Sequence, residues 1–201
     1  MEEKVVFQSG ELNIEGLLDK GTTGRGVVIT HPHTLFGGDM YSVVVESLAK
    51  CYRRKGFTTL RFNFRGAGRS QGRFDEGIGE QADVASAVSY LKDHHDIDDI
   101  DLAGYSFGAW VNALVCSGKT EINRLIMVAP PVAFIDFKDV DSLPSLFLVV
   151  SGSHDEYAPV DLIRELLPNW NPSARMEVID GGDHFFFSHS SDLELILENA
   201  L

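Results

Sequence analysis

The stretch Gly104-Tyr105-Ser106-Phe107-Gly108 restricts the fold of this chain more than any other part of the sequence. It follows an apolar run, residues 100–103, that predicts a buried strand, and it precedes residues 109–116, which predict a helix. Glycines two positions before and after a serine, at a strand-to-helix turn, are typical of a nucleophile elbow. The N–H of Phe107 would then lie at the helix start, where it can donate to a developing oxyanion. Because the chain contains 19 glycines, the pattern could arise by chance, and the rest of the chain must supply a base and an acid.

Short apolar runs alternate with helical patterns along the whole chain. The predicted strands cover residues 4–9, 12–18, 26–30, 57–64, 100–103, 124–129, 145–150 and 174–179. The predicted helices cover residues 40–55, 79–94, 109–116, 160–167 and 191–201. The first two strands flank Gly10-Glu11 as an antiparallel hairpin. The alternation predicts an α/β fold in one domain, residues 1–201, with a mostly parallel sheet covered by helices on both faces.

Three polar clusters follow predicted strands, in the chain order Ser106, Asp155, His184. A serine hydroxyl is a poor nucleophile at neutral pH unless an imidazole accepts its proton, and a carboxylate must orient that imidazole. The order Ser, Asp, His is the one expected of a catalytic triad on an α/β sheet. Glu156 stays open as an alternative acid, and His154 and His189 are weaker candidates for the base.

The loop after the third predicted strand, residues 31–39, is the second candidate element of the site. A loop at the carboxyl end of a buried strand is where α/β sheets place ligands. We expect it to lend a second backbone N–H to an oxyanion hole, from His33, Thr34 or Leu35. His31 and His33 could also suggest a metal site, but no third ligand stands at a useful spacing, so we expect no metal.

A glycine-rich turn, residues 65–72, lies beside the expected site. It lacks the lysine and hydroxyl residue of a phosphate-binding loop, so we interpret it as structural. Arg65 or Arg69 is expected either to tether this turn or to contact an acidic group of the substrate.

The net charge of −13 argues against nucleic acid and anionic membrane surfaces as partners. Cys51 and Cys116 stand outside any Cys-x-x-Cys motif and are expected to be buried thiols in a reducing compartment. The first residues lack the apolar core of a signal peptide, and no apolar run approaches the length of a membrane span. These features predict a cytoplasmic protein. The sequence leaves the oligomeric state open, with a homodimer among the states compatible with it.

Several separated motifs, in this order, resemble those of a family of small bacterial α/β-hydrolases. These are described as predicted esterases or acylpeptidase-like hydrolases and are similar in outline to dienelactone hydrolases. The resemblance covers nearly the whole chain and implies the α/β-hydrolase fold, with Ser106 as nucleophile, Asp155 as acid and His184 as base. The motifs are Thr30-His31-Pro32-His33, Gly37-Gly38-Asp39-Met40, Arg61-Phe62-Asn63-Phe64-Arg65-Gly66, the serine stretch, Gly152-Ser153-His154-Asp155 through Pro159, and Asp183-His184-Phe185-Phe186.

Two departures from that family bear on the prediction. Thr34 stands where many relatives have proline, which affects the loop expected to form the oxyanion hole. Dienelactone hydrolases use a cysteine nucleophile, so Ser106 points away from that specific activity.

The segment between the predicted strands ending near residue 129 and starting near residue 145 is too short for a cap domain. We therefore expect an open site, lined by Phe36, Phe107, Tyr157 and the run Phe185-Phe186-Phe187. The predicted function is a serine hydrolase that cleaves small acyl or aryl esters through an acyl-enzyme, with no metal or organic cofactor. A thioesterase, a small peptidase and a non-catalytic binding protein on the same scaffold are the alternatives.

Overall fold

The computed structural model describes residues 2–118 and 120–201 and contains one eight-stranded sheet within them. The strands are β1 Glu3–Ser9, β2 Leu12–Asp19, β3 Arg25–Thr30, β4 Thr58–Phe62, β5 Asp99–Tyr105, β6 Leu125–Val128, β7 Leu146–Gly152 and β8 Arg175–Ile179. The helices are α1 Val43–Arg54, α2 Ile78–His95, α3 Phe107–Ser117, α4 Val160–Trp170 and α5 Ser190–Ala200.

The sheet has the strand order β1-β2-β4-β3-β5-β6-β7-β8. The pairs β1–β2 and β2–β4 are antiparallel, and every other pair is parallel. Helix α1 packs against α5, and α2 packs against α3, so that both faces of the sheet are covered. Strand β6 is buried at every residue, as expected of a parallel strand with helices on both sides. The predicted elements and the predicted fold class are confirmed.

Strand β4 ends two residues earlier than the sequence predicts. The chain leaves the sheet after Phe62, and the next two N–H groups bond outside the β3–β4 ladder. The Asn63 N–H donates to the carbonyl of Glu15, and the Phe64 N–H donates to the ring of His31. Glu15 belongs to β2 and His31 follows β3, so these two hydrogen bonds tie the end of β4 to both neighbouring strands.

The glycine-rich turn that follows β4 is anchored by Arg65. Its guanidinium Nη2 donates to Oδ1 of Asp83 at 2.8 Å, and its Nε donates to Oδ2 at 3.1 Å. The side chain of Asp83 is completely buried on α2. Arg65 therefore tethers the turn, which is one of the two roles predicted for it. Cys51 and Cys116 are free and buried, as predicted, and burial raises the pKa of each thiol to about 11.

Candidate active site

Ser106 occupies a strained turn between β5 and α3. Its φ of 53° and ψ of −119° lie in a region that non-glycine residues rarely adopt. A Cβ at Gly104 would lie 2.7 Å from the nitrogen of Ala109, and a Cβ at Gly108 would lie 2.6 Å from Oγ1 of Thr30. Only glycine fits at either position, because the first turn of α3 contacts both β5 and the end of β3. The sequence pattern alone had predicted this tight turn.

The three polar clusters expected at strand ends meet at Ser106. Its Oγ lies 2.9 Å from Nε2 of His184, and Nδ1 of His184 lies 2.8 Å from Oδ2 of Asp155. These residues follow β5, β7 and β8. The three strands are parallel and lie within four consecutive positions of the sheet, so their carboxyl ends are close together. Because a carboxylate only accepts, the proton is assigned to Nδ1, which leaves Nε2 free to accept from the serine hydroxyl. The arrangement can therefore move a proton from Ser106 to His184.

Asp155 is held in place by the backbone that follows it. Its Oδ1 accepts hydrogen bonds from the N–H groups of Tyr157 at 2.9 Å and Ala158 at 2.8 Å. Asp155 is buried, whereas the neighbouring Glu156 and His154 are exposed. The ring of His189 lies near Gly181, whereas the hydrogen bond of the Ser106 hydroxyl is made with His184. Of the alternatives that the sequence leaves open, none joins the network at Ser106.

Tyr105 helps to position His184, a role that the sequence analysis does not identify. Its hydroxyl donates a hydrogen bond of 2.8 Å to the backbone carbonyl of His184. Burial raises the pKa of Tyr105, so the hydroxyl stays protonated and remains a donor. The only signal for it in the sequence is its position beside Ser106 in the serine motif, where many side chains would be compatible with the pattern.

Of the three loop candidates for the oxyanion hole, His33 is the one that lines the cavity beside Ser106. Thr34 and Leu35 lie outside its wall, and the Leu35 N–H already donates to Nδ1 of His33 at 3.2 Å. Phe107, the fourth candidate, also lines the cavity as the first residue of α3. Its N–H belongs to the first helical turn, where backbone donors have no partner within the helix.

His31 holds the peptide group that precedes His33. Its Nδ1 donates to the carbonyl of Pro32 at 2.6 Å, and its Nε2 accepts from the Phe64 N–H at 2.9 Å. The carbonyl of Pro32 and the N–H of His33 belong to one trans peptide unit and point in opposite directions. His31 therefore fixes the direction of the His33 N–H. Burial lowers the pKa of His31 to about 4, so the ring is neutral in this role.

The cavity beside Ser106 has a volume of about 520 Å³ and a mostly apolar wall that includes eight Phe and Tyr residues. Phe36, Tyr157 and Phe185 line it, as expected. Phe134, which the sequence analysis does not single out, reaches it from the connection between β6 and β7. Residues 129–145 form that connection without a helix, so no cap of described residues covers the cavity. Phe187 lines the cavity as well, but the expectation for Phe186 is wrong: its backbone has a φ of 54°, and its ring is completely buried in the core.

Within residues 2–118 and 120–201, no group of three or more His, Cys, Asp or Glu side chains is arranged to hold a metal ion. Both ring nitrogens of His31 are engaged in the hydrogen bonds described above. None of the helices in the same ranges has the length and apolarity needed to cross a bilayer.

Comparison with known proteins gives consistent similarities over most of the chain. A family model described as the alpha/beta hydrolase fold matches residues 27–147. The structure of an alpha-beta serine hydrolase homologue from Coxiella burnetii is 35% identical, with a TM-score of 0.92 over 99% of this chain and 97% of that one. An a/b serine hydrolase without lid from Xanthomonas campestris is 29% identical, with a TM-score of 0.90 over 99% and 93%. An uncharacterized protein of Rickettsia prowazekii is 34% identical over 91% of this chain and 82% of its own.

Proposed function

Because the chain belongs to the α/β-hydrolase family, we propose that it is a serine hydrolase that cleaves carboxylic esters of small acyl or aryl groups. The observation that carries the proposal is the hydrogen-bonded chain from Oγ of Ser106 through His184 to Asp155 at the edge of an aromatic cavity. Such a chain is the arrangement that activates a serine nucleophile.

In the proposed reaction, Oγ of Ser106 attacks the ester carbonyl while Nε2 of His184 takes the hydroxyl proton. The carbonyl oxygen becomes an oxyanion, which accepts hydrogen bonds from the N–H groups of Phe107 and His33. When the intermediate collapses, the bond to the alcohol breaks and His184 returns the proton to the leaving oxygen. Water, deprotonated by His184, then attacks the acyl-enzyme and releases the acid. Asp155 stabilises the imidazolium in both halves of the reaction.

The shape of the cavity supports small substrates with apolar groups. Phe36 and Phe134 are 74% and 54% exposed, so the wall reaches the protein surface and leaves an open entrance. The polar groups near the reacting serine are few, which is the usual composition of a small-molecule site. No part of the proposed proton transfer requires a metal or an organic cofactor.

The experiment is a substrate panel with matched variants. We expect wild-type protein to hydrolyse p-nitrophenyl acetate and phenyl acetate with a higher kcat/KM than a matched thioester or an anilide. Ser106→Ala and His184→Ala should each lower kcat by about 10⁴-fold or more, since triad members act as a unit. The exposed residues Ser188 and His154 provide the controls Ser188→Ala and His154→Ala, which should retain activity.

Other results of the substrate panel would support the alternative functions. A clear preference for the thioester or the anilide would replace the esterase proposal with the thioesterase or peptidase alternative. No turnover of any class by folded wild-type protein would favour a binding protein on this scaffold. The cytoplasmic location stays a prediction, which cell fractionation would test. The oligomeric state, for which a homodimer is one of the states compatible with the sequence, would be measured by sedimentation.

A further inference from the structure

Asp39 lies in the wall of the cavity, in the loop that joins β3 to α1. Its Oδ1 accepts the N–H of Tyr41 at 2.9 Å, which fixes the direction of the carboxylate within the turn. The residue is only partly buried, and none of the Lys and Arg side chains in the described part of the chain pairs with it within 4.0 Å. The cavity wall thus carries a carboxylate that forms no ion pair with the described cations, the nearest candidates being Lys4 and Arg69, which line a second cavity that Asp39 also borders.

The rest of the wall provides no charge to balance Asp39. Of the described residues that line the cavity, none is a lysine, an arginine or a second carboxylate. The histidines are His33 and His184, and burial lowers the pKa of His33, which keeps its ring neutral at neutral pH. The net charge of the whole chain is −13, which adds to the negative potential around the entrance.

Aromatic rings form the wall around the reacting groups. The ring centroids of Phe36 and Phe134 are 6.0 Å apart, and those of Phe134 and Tyr157 are 5.9 Å apart, in both cases edge to face. The Tyr157 ring lies 4.9 Å from that of His184. Aromatic faces attract cations, whereas an anion that enters such a wall loses hydration and finds no cationic partner.

We propose that Asp39 makes this site select esters that carry a positive charge over neutral esters, and neutral esters over those that carry a negative charge. The inference rests on the ester hydrolysis proposed above and narrows its substrate class. It also implies that thioesters of phosphate-bearing carriers are poor substrates, because each phosphate would approach a carboxylate that forms no ion pair, in a wall without cationic side chains.

The test uses three aryl acetates of similar shape, whose phenols carry a 3-trimethylammonio, a 3-tert-butyl or a 3-carboxylate group. A second series places the same substituents on the acyl side, so that both orientations of the ester in the cavity are covered. The measured quantity is the ratio of kcat/KM for the cationic ester to that for the anionic ester. Intrinsic reactivity cancels when this ratio is compared between protein variants.

Two variants are compared with wild type. In Asp39→Asn the amide oxygen can still accept the Tyr41 N–H, while the charge is removed. Asp98→Asn removes an exposed charge just before β5, at the opposite end of that strand from Ser106. We expect Asp39→Asn to lower the ratio by roughly tenfold in at least one series, from the Coulomb interaction of charges several ångströms apart near a protein surface. Asp98→Asn should leave it within about twofold, because screening by salt is strong at that distance.

The outcomes separate this inference from the proposed function. If neutral esters are hydrolysed but the ratio is the same in wild type and Asp39→Asn for both series, the charge selection is refuted and the hydrolase proposal stands. If no ester is hydrolysed, the hydrolase proposal fails, and binding of phenyltrimethylammonium and benzoate, measured by NMR titration, tests the selection alone. If Asp39→Asn does not fold, the salt dependence of the wild-type ratio decides. Between 0.02 and 0.5 M NaCl the screening length falls roughly fivefold, and a ratio that does not fall over this range overturns the inference.

Discussion

His31 should make the stability of the protein depend on pH in a way that one substitution removes. The ring is completely buried, and both nitrogens are used in hydrogen bonds to Pro32 and Phe64. Burial lowers its pKa from 6.5 to about 4. Between these two values the unfolded chain binds a proton that the folded protein does not. The free energy of unfolding therefore falls as the pH falls from about 6.5 to about 4.

The size of the effect follows from the same shift. One pKa unit corresponds to about 1.36 kcal/mol, so the displacement of the His31 pKa contributes about 3 kcal/mol across this pH range. Urea unfolding of wild type and His31→Gln, measured from pH 4 to pH 8, isolates it, because other titrating groups cancel in the difference. We expect His31→Gln to be less stable than wild type at pH 8 and this deficit to shrink by about 3 kcal/mol at pH 4.

A difference in stability that stays constant over the whole pH range would refute this reasoning. It would mean that His31 titrates alike in the folded and unfolded states, so that the buried neutral ring described above is wrong. His154→Gln, at an exposed position, controls for the general effect of losing a histidine.

Three further predictions concern the turn at Ser106, the ion pair that holds the glycine-rich turn, and the hydrogen bond to the backbone of His184. Gly108→Ala, whose Cβ would lie 2.6 Å from Thr30, should cost about 1–3 kcal/mol in urea unfolding and lower kcat/KM by shifting Ser106; unchanged values would contradict the tight contact. Arg65→Met should cost about 3–5 kcal/mol because Asp83 is left buried without its cation, and adding Asp83→Asn should recover part of the loss; if the double variant is no more stable, the ion pair is not the cause. Tyr105→Phe should lower kcat/KM by roughly tenfold, with a loss of stability of about 1 kcal/mol, since it removes the hydrogen bond to the base's carbonyl. Equal kcat/KM in Tyr105→Phe would exclude that positioning role.

Local patterns were sufficient to predict the sheet and the elbow. Strand β6 is a short apolar run bounded by turn residues, and the glycines at 104 and 108 have one plausible use between a strand and a helix. The meeting of Ser106, Asp155 and His184 could also be predicted, because the carboxyl ends of parallel strands share one edge of the sheet.

Contacts between distant elements could not be predicted in the same way. Asp83 appears in the sequence as one of many acidic residues on a helix, and only its packing shows that it faces Arg65 in the interior. The direction of the His33 N–H depends on the hydrogen bonds that His31 makes with the adjacent Pro32 and with Phe64 of a distant segment. The reversal at Phe186, with a φ of 54°, places that ring in the core and Phe185 and Phe187 at the cavity. None of these leaves a periodic signal in the sequence.

The most direct test of the proposed nucleophile is the site of covalent modification by a fluorophosphonate. After reaction with folded protein, intact mass and peptide mapping should show a single adduct, on Ser106. The adduct should be absent from Ser106→Ala and form far more slowly in His184→Ala, because the neutral hydroxyl reacts poorly without its base. No adduct on the folded wild type, or equal modification of Ser106→Ala, would contradict the assignment of Ser106 as the nucleophile.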